Sequence, residues 1–184
     1  SMQIDGCPDI CKTILTVCWM ENGERKDRQI CHLHDSGWPD LGVPACDRTV
    51  MALLSLVRGS KKPITVHCSA GVGRTGTLVA IELIMEKIQA NLPFTVMGDI
   101  VKELRSQRFR SIQKESQYLF IHRVLLFYFL KEKKLLDQLS AEQKEKYDDF
   151  RKNYENAIEL WKEDKEVGDS GTCDKQEEKK IQKF

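Results

Sequence analysis

Cys68 is followed six residues later by Arg74, with Gly71, Gly73 and Gly76 in and beside that interval, in the run Val66-His67-Cys68-Ser69-Ala70-Gly71-Val72-Gly73-Arg74-Thr75-Gly76-Thr77. A thiol attacks well only as its thiolate. The chain supplies what ionisation needs. Pro63 to Cys68 is a short apolar run that reads as a strand buried in the middle of a sheet. Thr75 to Ala90 places Leu78, Ile81, Met85 and Ile88 at spacings of three and four, one face of a helix. Strand, glycine loop and helix put Cys68 at a helix N-terminus, where aligned N–H dipoles favour negative charge. Such a site lowers a thiol pKa below its ordinary value and favours the thiolate. The amides of Ser69, Ala70, Gly71, Val72 and Gly73 form a cradle for a tetrahedral dianion. Arg74 can curl back and clamp two of its oxygens with a planar fork.

The same glycines spell G-x-G-x-x-G, the spacing of dinucleotide-binding loops. That use requires a second parallel strand ending in an acidic residue about twenty positions on. Asp99 lies at that distance, but within a helix-like segment after Pro93. A nucleotide-triphosphate loop requires lysine directly after the last glycine. Thr77 stands there. An inert buried cysteine beside a glycine-rich turn is the remaining reading, and it leaves Arg74 without a role.

His67 to Thr75 resembles, without mismatch, the H-C-x-x-G-x-x-R-[ST] signature of cysteine-dependent protein phosphatases. Two further segments narrow the branch. Trp38-Pro39-Asp40, which alone would read as a packed tryptophan and an ordinary turn, looks like the mobile W-P-D loop of the tyrosine-specific enzymes. The run Leu104-Arg105-Ser106-Gln107-Arg108, with Gln113 and Gln117-Tyr118 beyond it, is similar to the glutamine-bearing segment of the same branch. The resemblance covers about Ile14 to Leu130 and corresponds to the C-terminal half of that catalytic domain. It includes no counterpart of the N-R-Y loop that stacks on phosphotyrosine. Leu41 replaces the histidine that often follows the aspartate.

The resemblance implies roles. Cys68 would be the nucleophile, Asp40 the general acid and then the base, and Arg74 with the loop amides the phosphate clamp. Thr75 would hydrogen-bond the sulfur, Gln113 and Gln117 would orient the second-step water, and His67 would steady the loop from beneath. Asp35 is a poorer candidate acid because it lacks the flanking match. The implied substrate is a phosphotyrosine-containing protein, with no metal or organic cofactor. The implied fold is α/β, a mixed twisted sheet flanked by helices and lacking its N-terminal portion. A catalytically weak phosphoprotein-binding module, and an interaction protein acting through a helical tail, are the other readings.

The elements that must position these groups are partly legible. Thr13 to Met20 and Arg28 to His34 flank an Asn22-Gly23 signal and read as a hairpin. Phe94 to Arg108 and Glu115 to Leu130 read as helices, the second apolar enough for the core, with Phe109 to Lys114 as a loop between them. Composition shifts near residue 130, which predicts a catalytic-type domain over 1–130 and a charged helical tail over 131–184; the tail has no proline and two glycines. Ser140 and Gln143 have capping-box spacing. Tyr147, Phe150, Tyr154, Ala157 and Trp161 form an aromatic stripe that packs on the domain or seats a helix partner. The polar residues after Glu166 read as a disordered end.

With 184 residues, 41% hydrophobic, and 29 basic against 28 acidic residues, the chain suits one core and no electrostatic binding of nucleic acid. No apolar run is long enough to span a bilayer and no leader pattern opens the chain. Seven cysteines without a disulfide-framework spacing predict free thiols in the cytoplasm. Cys7, Cys11, Cys18, Cys31, His32 and His34 match no common zinc spacing.

Overall fold

The computed structural model describes residues 2–4, 6–93 and 96–168, with side chains through Trp161. The chain forms two compact units, Ser1–Leu139 and Ser140–Phe184. The first opens with strands β1 (Met2–Ile4), β2 (Cys7–Glu21) and β3 (Glu24–Asp35). Helices α1 (Arg48–Val57), α2 (Arg74–Gln89), α3 (Met97–Gln107) and α4 (Glu115–Phe127) follow.

The hairpin forms where the sequence places it and is longer than predicted. Asn22 and Gly23 have φ of 52° and 82° and close the pair Glu21–Glu24. Two successive positive φ values match the right-handed twist of flanking strands, which is why this dipeptide suits a two-residue turn. β1 pairs antiparallel with β2, giving an antiparallel sheet of order β1-β2-β3. Only the base of the hairpin enters the core, where Ile10 is fully buried. Farther out, Ile14, Val17 and Met20 are exposed.

The α/β class with helices about a sheet stands, but one strand does not. Pro63–Cys68 takes no regular secondary structure and lies outside the ladder, and Ile64 is 51% exposed. It reaches β3 through side chains, with His67 stacked on His32 at 6.1 Å. An extended backbone becomes a strand only when a neighbour supplies N–H and C=O groups in register. Among the described residues none does so here.

The core lies between helices. Ala80, Ile81, Ile84 and Met85 of α2 are buried with Phe120, Ile121 and Val124 of α4, Ile100 of α3 and Val50 of α1. The buried face of α2 is therefore rotated from the predicted one: Ile81 and Met85 belong to it, but Ile88 is exposed and Thr77 and Ala80 take part. The cause is the approach of the Ser111–Ile112 backbone to Gly76, where an added Cβ would lie 2.7 Å from the Ile112 nitrogen.

α1 has no counterpart in the sequence reading. Its preceding residue, Asp47, makes no side-chain cap and pairs instead with Arg123 Nε of α4 at 2.6 Å. α4 carries the apolar core residues expected of it, then passes into a π turn over Tyr128–Glu132. Arg58, the residue that follows α1, and Glu82 of α2 join at 2.6 Å.

In the second unit, helix α5 spans Ala141–Gly168. The capping box forms as spaced: Ser140 N–H donates to Gln143 Oε1 at 2.9 Å, and Gln143 N–H donates to Ser140 Oγ at 3.2 Å. The helix continues past Glu166 to Gly168, and the rest of the expected disordered end lies outside the described residues. Among the described residues no helix is long and apolar enough to cross a membrane.

Two glycine substitutions separate close approach from helix propensity. Gly76→Ala drives a methyl into backbone and is expected to cost about 1–3 kcal/mol. Gly98→Ala, in α3, meets nothing within 4 Å and should add about 0.5–1 kcal/mol. Urea denaturation of both variants checks the pair, and equal effects would contradict the close approach.

Candidate active site

The loop from Cys68 to Gly73 leads directly into α2, whose first residue is Arg74. Gly71 has φ +68°, and a Cβ there would also meet Arg108 Nη2 at 2.9 Å. The positive φ is what calls for glycine, since the Arg108 tip is flexible enough to give way. The Gly71 N–H donates to Cys68 Sγ at 3.2 Å. On the other side of the loop, Arg108 Nε donates to Gly71 O at 2.7 Å and Nη2 to Ala70 O at 3.3 Å. With its carbonyls held by Arg108, the loop is free to turn amides toward the sulfur.

These contacts set the thiol. Burial by itself would raise the Cys68 pKa. It is outweighed by the hydroxyl and amide of Thr75, the Gly71 amide and the Arg74 charge, and the pKa falls below the ordinary thiol value. Thr75 Oγ1 is buried and makes no hydrogen bond of regular geometry, so no other acceptor competes with the sulfur for its proton. An open cavity of about 330 Å³ adjoins the sulfur, walled by His67, Ser69, Gly71, Thr75 and Arg108. Arg74 and Asp40 are not among its walls.

Arg74 gathers the other groups. Its Nη1 donates to Trp38 O at 3.0 Å, and its Nη2 donates to Ser69 Oγ at 2.9 Å and meets Asp40 Oδ1 at 3.1 Å. The guanidinium is mostly buried and its Nε is an unpaired buried donor. A tetrahedral oxyanion would satisfy it. Asp40 is 63% exposed and also accepts the Leu41 N–H at 3.1 Å. Its neighbour Trp38 is fixed in the core, edge-on to Phe120 at 5.9 Å, with its indole N–H on Gly42 O. The loop bearing Asp40 is thus anchored on one side by an aromatic and on the other by the clamp.

Asp35 lies elsewhere, at the base of the hairpin, where it accepts the Gly37 N–H. Burial raises its pKa. Gln113 is exposed and Gln117 fully buried, yet both side chains converge on Gly73, within 3.0–3.2 Å of where a Cβ would stand. The six cysteines among the described residues are free, and no group of three or more His, Cys, Asp or Glu side chains there could hold a metal ion.

Sequence reasoning gave no role to Arg105 or Arg108. Arg105 donates to Ser111 O and Ile112 O, both at 3.0 Å, while Ile112 N–H donates to Val72 O at 2.9 Å. Together they hold a loop in which Arg110 and Ile112 take φ of 62° and 63°. The available signal was two arginines three apart at the end of a helix, followed by a short polar loop.

The family model for protein-tyrosine phosphatases matches residues 4–127. The human tyrosine-protein phosphatase non-receptor type 13 is 36% identical over 124 residues, which are 66% of this chain and 5% of that protein. The mouse receptor-type tyrosine-protein phosphatase C is 38% identical over 126 residues, 66% of this chain and 10% of the relative. Among solved structures, the Trypanosoma cruzi protein tyrosine phosphatase TcPTP1 superposes with a TM-score of 0.59 at 32% identity, over 68% of this chain and 42% of its own. This chain therefore spans less than half of that solved chain and a small fraction of the curated relatives.

Cys68 should alkylate with iodoacetamide along a pH profile whose midpoint lies below the ordinary thiol value. Thr75→Val removes one of the groups that lower the pKa and should move the midpoint upward. Peptide mapping of alkylated Cys68 as a function of pH checks this, and an unmoved midpoint would show that the hydroxyl does not act on the sulfur.

Proposed function

The chain belongs to the protein-tyrosine phosphatase family, and we propose that it hydrolyses phosphotyrosine in proteins through a cysteinyl-phosphate intermediate. The observation that carries this reading is the convergence on Arg74: one guanidinium joins the loop of Cys68, through Ser69, to the loop of Asp40, through Trp38 O and the carboxylate itself. A module that only bound phosphate would need the cradle and the fork but no carboxyl group beside them.

In the first step the Cys68 thiolate attacks phosphorus in line, the S–P bond forms and the bond to the tyrosyl oxygen breaks. Asp40 gives its proton to that oxygen. The help matters because the phenol leaving group has a pKa of about 10. Positioned acids typically contribute about 10² to 10⁴ in rate. Charge developing on the transferred phosphoryl group is met by the loop amides and by the Arg74 fork, which exchanges Trp38 O and Asp40 for phosphoryl oxygens.

In the second step Asp40, now a carboxylate, takes a proton from a water oriented by Gln113. The water oxygen bonds to phosphorus, the S–P bond breaks and inorganic phosphate leaves. The Thr75 hydroxyl supports the departing thiolate. The scheme calls for no metal or cofactor, and a thiolate nucleophile suits a reducing cytoplasm.

A phosphotyrosine peptide should be turned over by this chain and not by Cys68→Ser. Turnover no greater than that control would overturn the reading. Asp40→Ala should lower kcat by about 10² to 10⁴ while phosphopeptide binding persists. Arg74→Lys should weaken both binding and turnover, because a point charge cannot replace two parallel N–H donors.

A further inference from the structure

Gln117 is buried to 0% exposure on the first turn of α4, and its amide is engaged at both ends. Oε1 accepts the backbone N–H groups of Gln113 at 3.0 Å and Lys114 at 3.3 Å. Nε2 donates across the site to Gly42 O at 3.4 Å. That carbonyl also accepts the Trp38 indole N–H at 3.0 Å. It closes a tight turn, Gly42 N–H to Pro39 O at 3.2 Å, whose two inner residues are Asp40 and Leu41. Leu41 has φ +57°, a conformation that a leucine adopts at a cost. The acid-bearing turn therefore depends on outside contacts to keep its shape.

We infer that Gln117 is a positioning residue that ties the acid-bearing turn to the helix behind the phosphate loop, through Gly42 O, and so sets where Asp40 stands. The inference rests on the phosphatase reading for its kinetic consequence and on geometry alone for its structural one. Arg74 holds the entry of the turn, at Trp38 O and Asp40. Gln117 holds its exit. The close packing of the Gln117 amide against Gly73 leaves it little room to turn away from that task. The work of orienting water then falls to Gln113, which is exposed.

The test is a leaving-group comparison. Gln117→Met keeps the volume and removes both the donor to Gly42 and the acceptor for the helix amides. Phosphotyrosine needs a proton from Asp40, whereas dinitrophenyl phosphate, with a far more acidic phenol, does not. The expected result is a loss of about 10- to 100-fold in kcat/KM on phosphotyrosine, part of the range an acid contributes, with kcat/KM on dinitrophenyl phosphate changed less than about threefold; kcat/KM covers only the steps up to phenol release, before Asp40 acts as base. Equal losses in kcat/KM on both substrates would overturn the inference, and with a lowered Tm would mean that Gln117 is only structural; kcat/KM unchanged on both, with a burst of dinitrophenolate, would overturn it by showing that Gln117 orients the second-step water. If Gln117→Met does not fold, Gln117→Glu keeps the acceptor at the helix N-terminus and replaces the donor with a carboxylate oxygen. The same split is expected of it.

A second measurement needs no turnover. Hydrogen exchange over residues 38–43 should quicken in either variant while residues 69–74 keep their protection. Unchanged exchange over 38–43 would overturn the coupling even in a chain with no phosphatase activity, and absent wild-type turnover would overturn the phosphatase reading without touching this one.

Discussion

The guanidinium of Arg74 is the contact on which the site depends. It is 22% exposed, and a charge so far withdrawn from water needs partners in most directions. Those partners are Ser69 in its own loop and Trp38 and Asp40 more than thirty residues upstream. The same charge also helps to lower the Cys68 pKa. One planar fork therefore couples the ionisation of the Cys68 thiol to the placement of the Asp40 carboxyl group, and Nε remains a buried donor with no hydrogen-bond partner among the described residues.

Much of the surrounding structure serves to hold that fork. Arg74 is the first residue of α2, so its direction follows from how α2 is seated. α2 is seated by its buried face against α4 and by the Ser111–Ile112 backbone over Gly76. Arg105 and the Ile112 bond to Val72 O fix that backbone, and Arg108 takes the loop carbonyls. The bonds from Arg108 are exposed and those from Arg105 part-buried, so water competes for the first pair and less for the second. Their greater effect is geometric, since two Nε/Nη pairs define the orientation of the peptide units they hold.

The hairpin contributes less than its length suggests. Its base supplies Ile10 to the core and the Asp35 contact that leads into the Trp38 loop. The outer part carries Ile14, Leu15, Val17, Trp19 and Met20 exposed on both faces. Alternate side chains point to opposite sides of a strand, so apolar residues at both parities describe a ribbon that exposes apolar groups on both faces. Pro63–Cys68, read as a strand buried in the sheet, forms none: its apolar, β-branched content gives propensity only, and no neighbour among the described residues pairs with it.

What could be read directly were features complete within a few residues. The glycine loop with Cys68 and Arg74, the Asn22-Gly23 turn and the Ser140–Gln143 capping box each close on themselves over a short span, so spacing alone determines which groups can meet. Family membership rests on the same local runs. The ladder that Pro63–Cys68 does not join, the rotated face of α2, the helix α1 with its Asp47–Arg123 pair, and the grip of Arg108 and Gln117 were decided only in three dimensions. Each joins or separates segments 24 to 76 positions apart in the chain, as in Arg58–Glu82, Arg74–Trp38, Gln117–Gly42 and Arg123–Asp47. Contacts at that range leave no periodicity in either segment. They follow from how the apolar faces pack, and packing is a property of the whole unit.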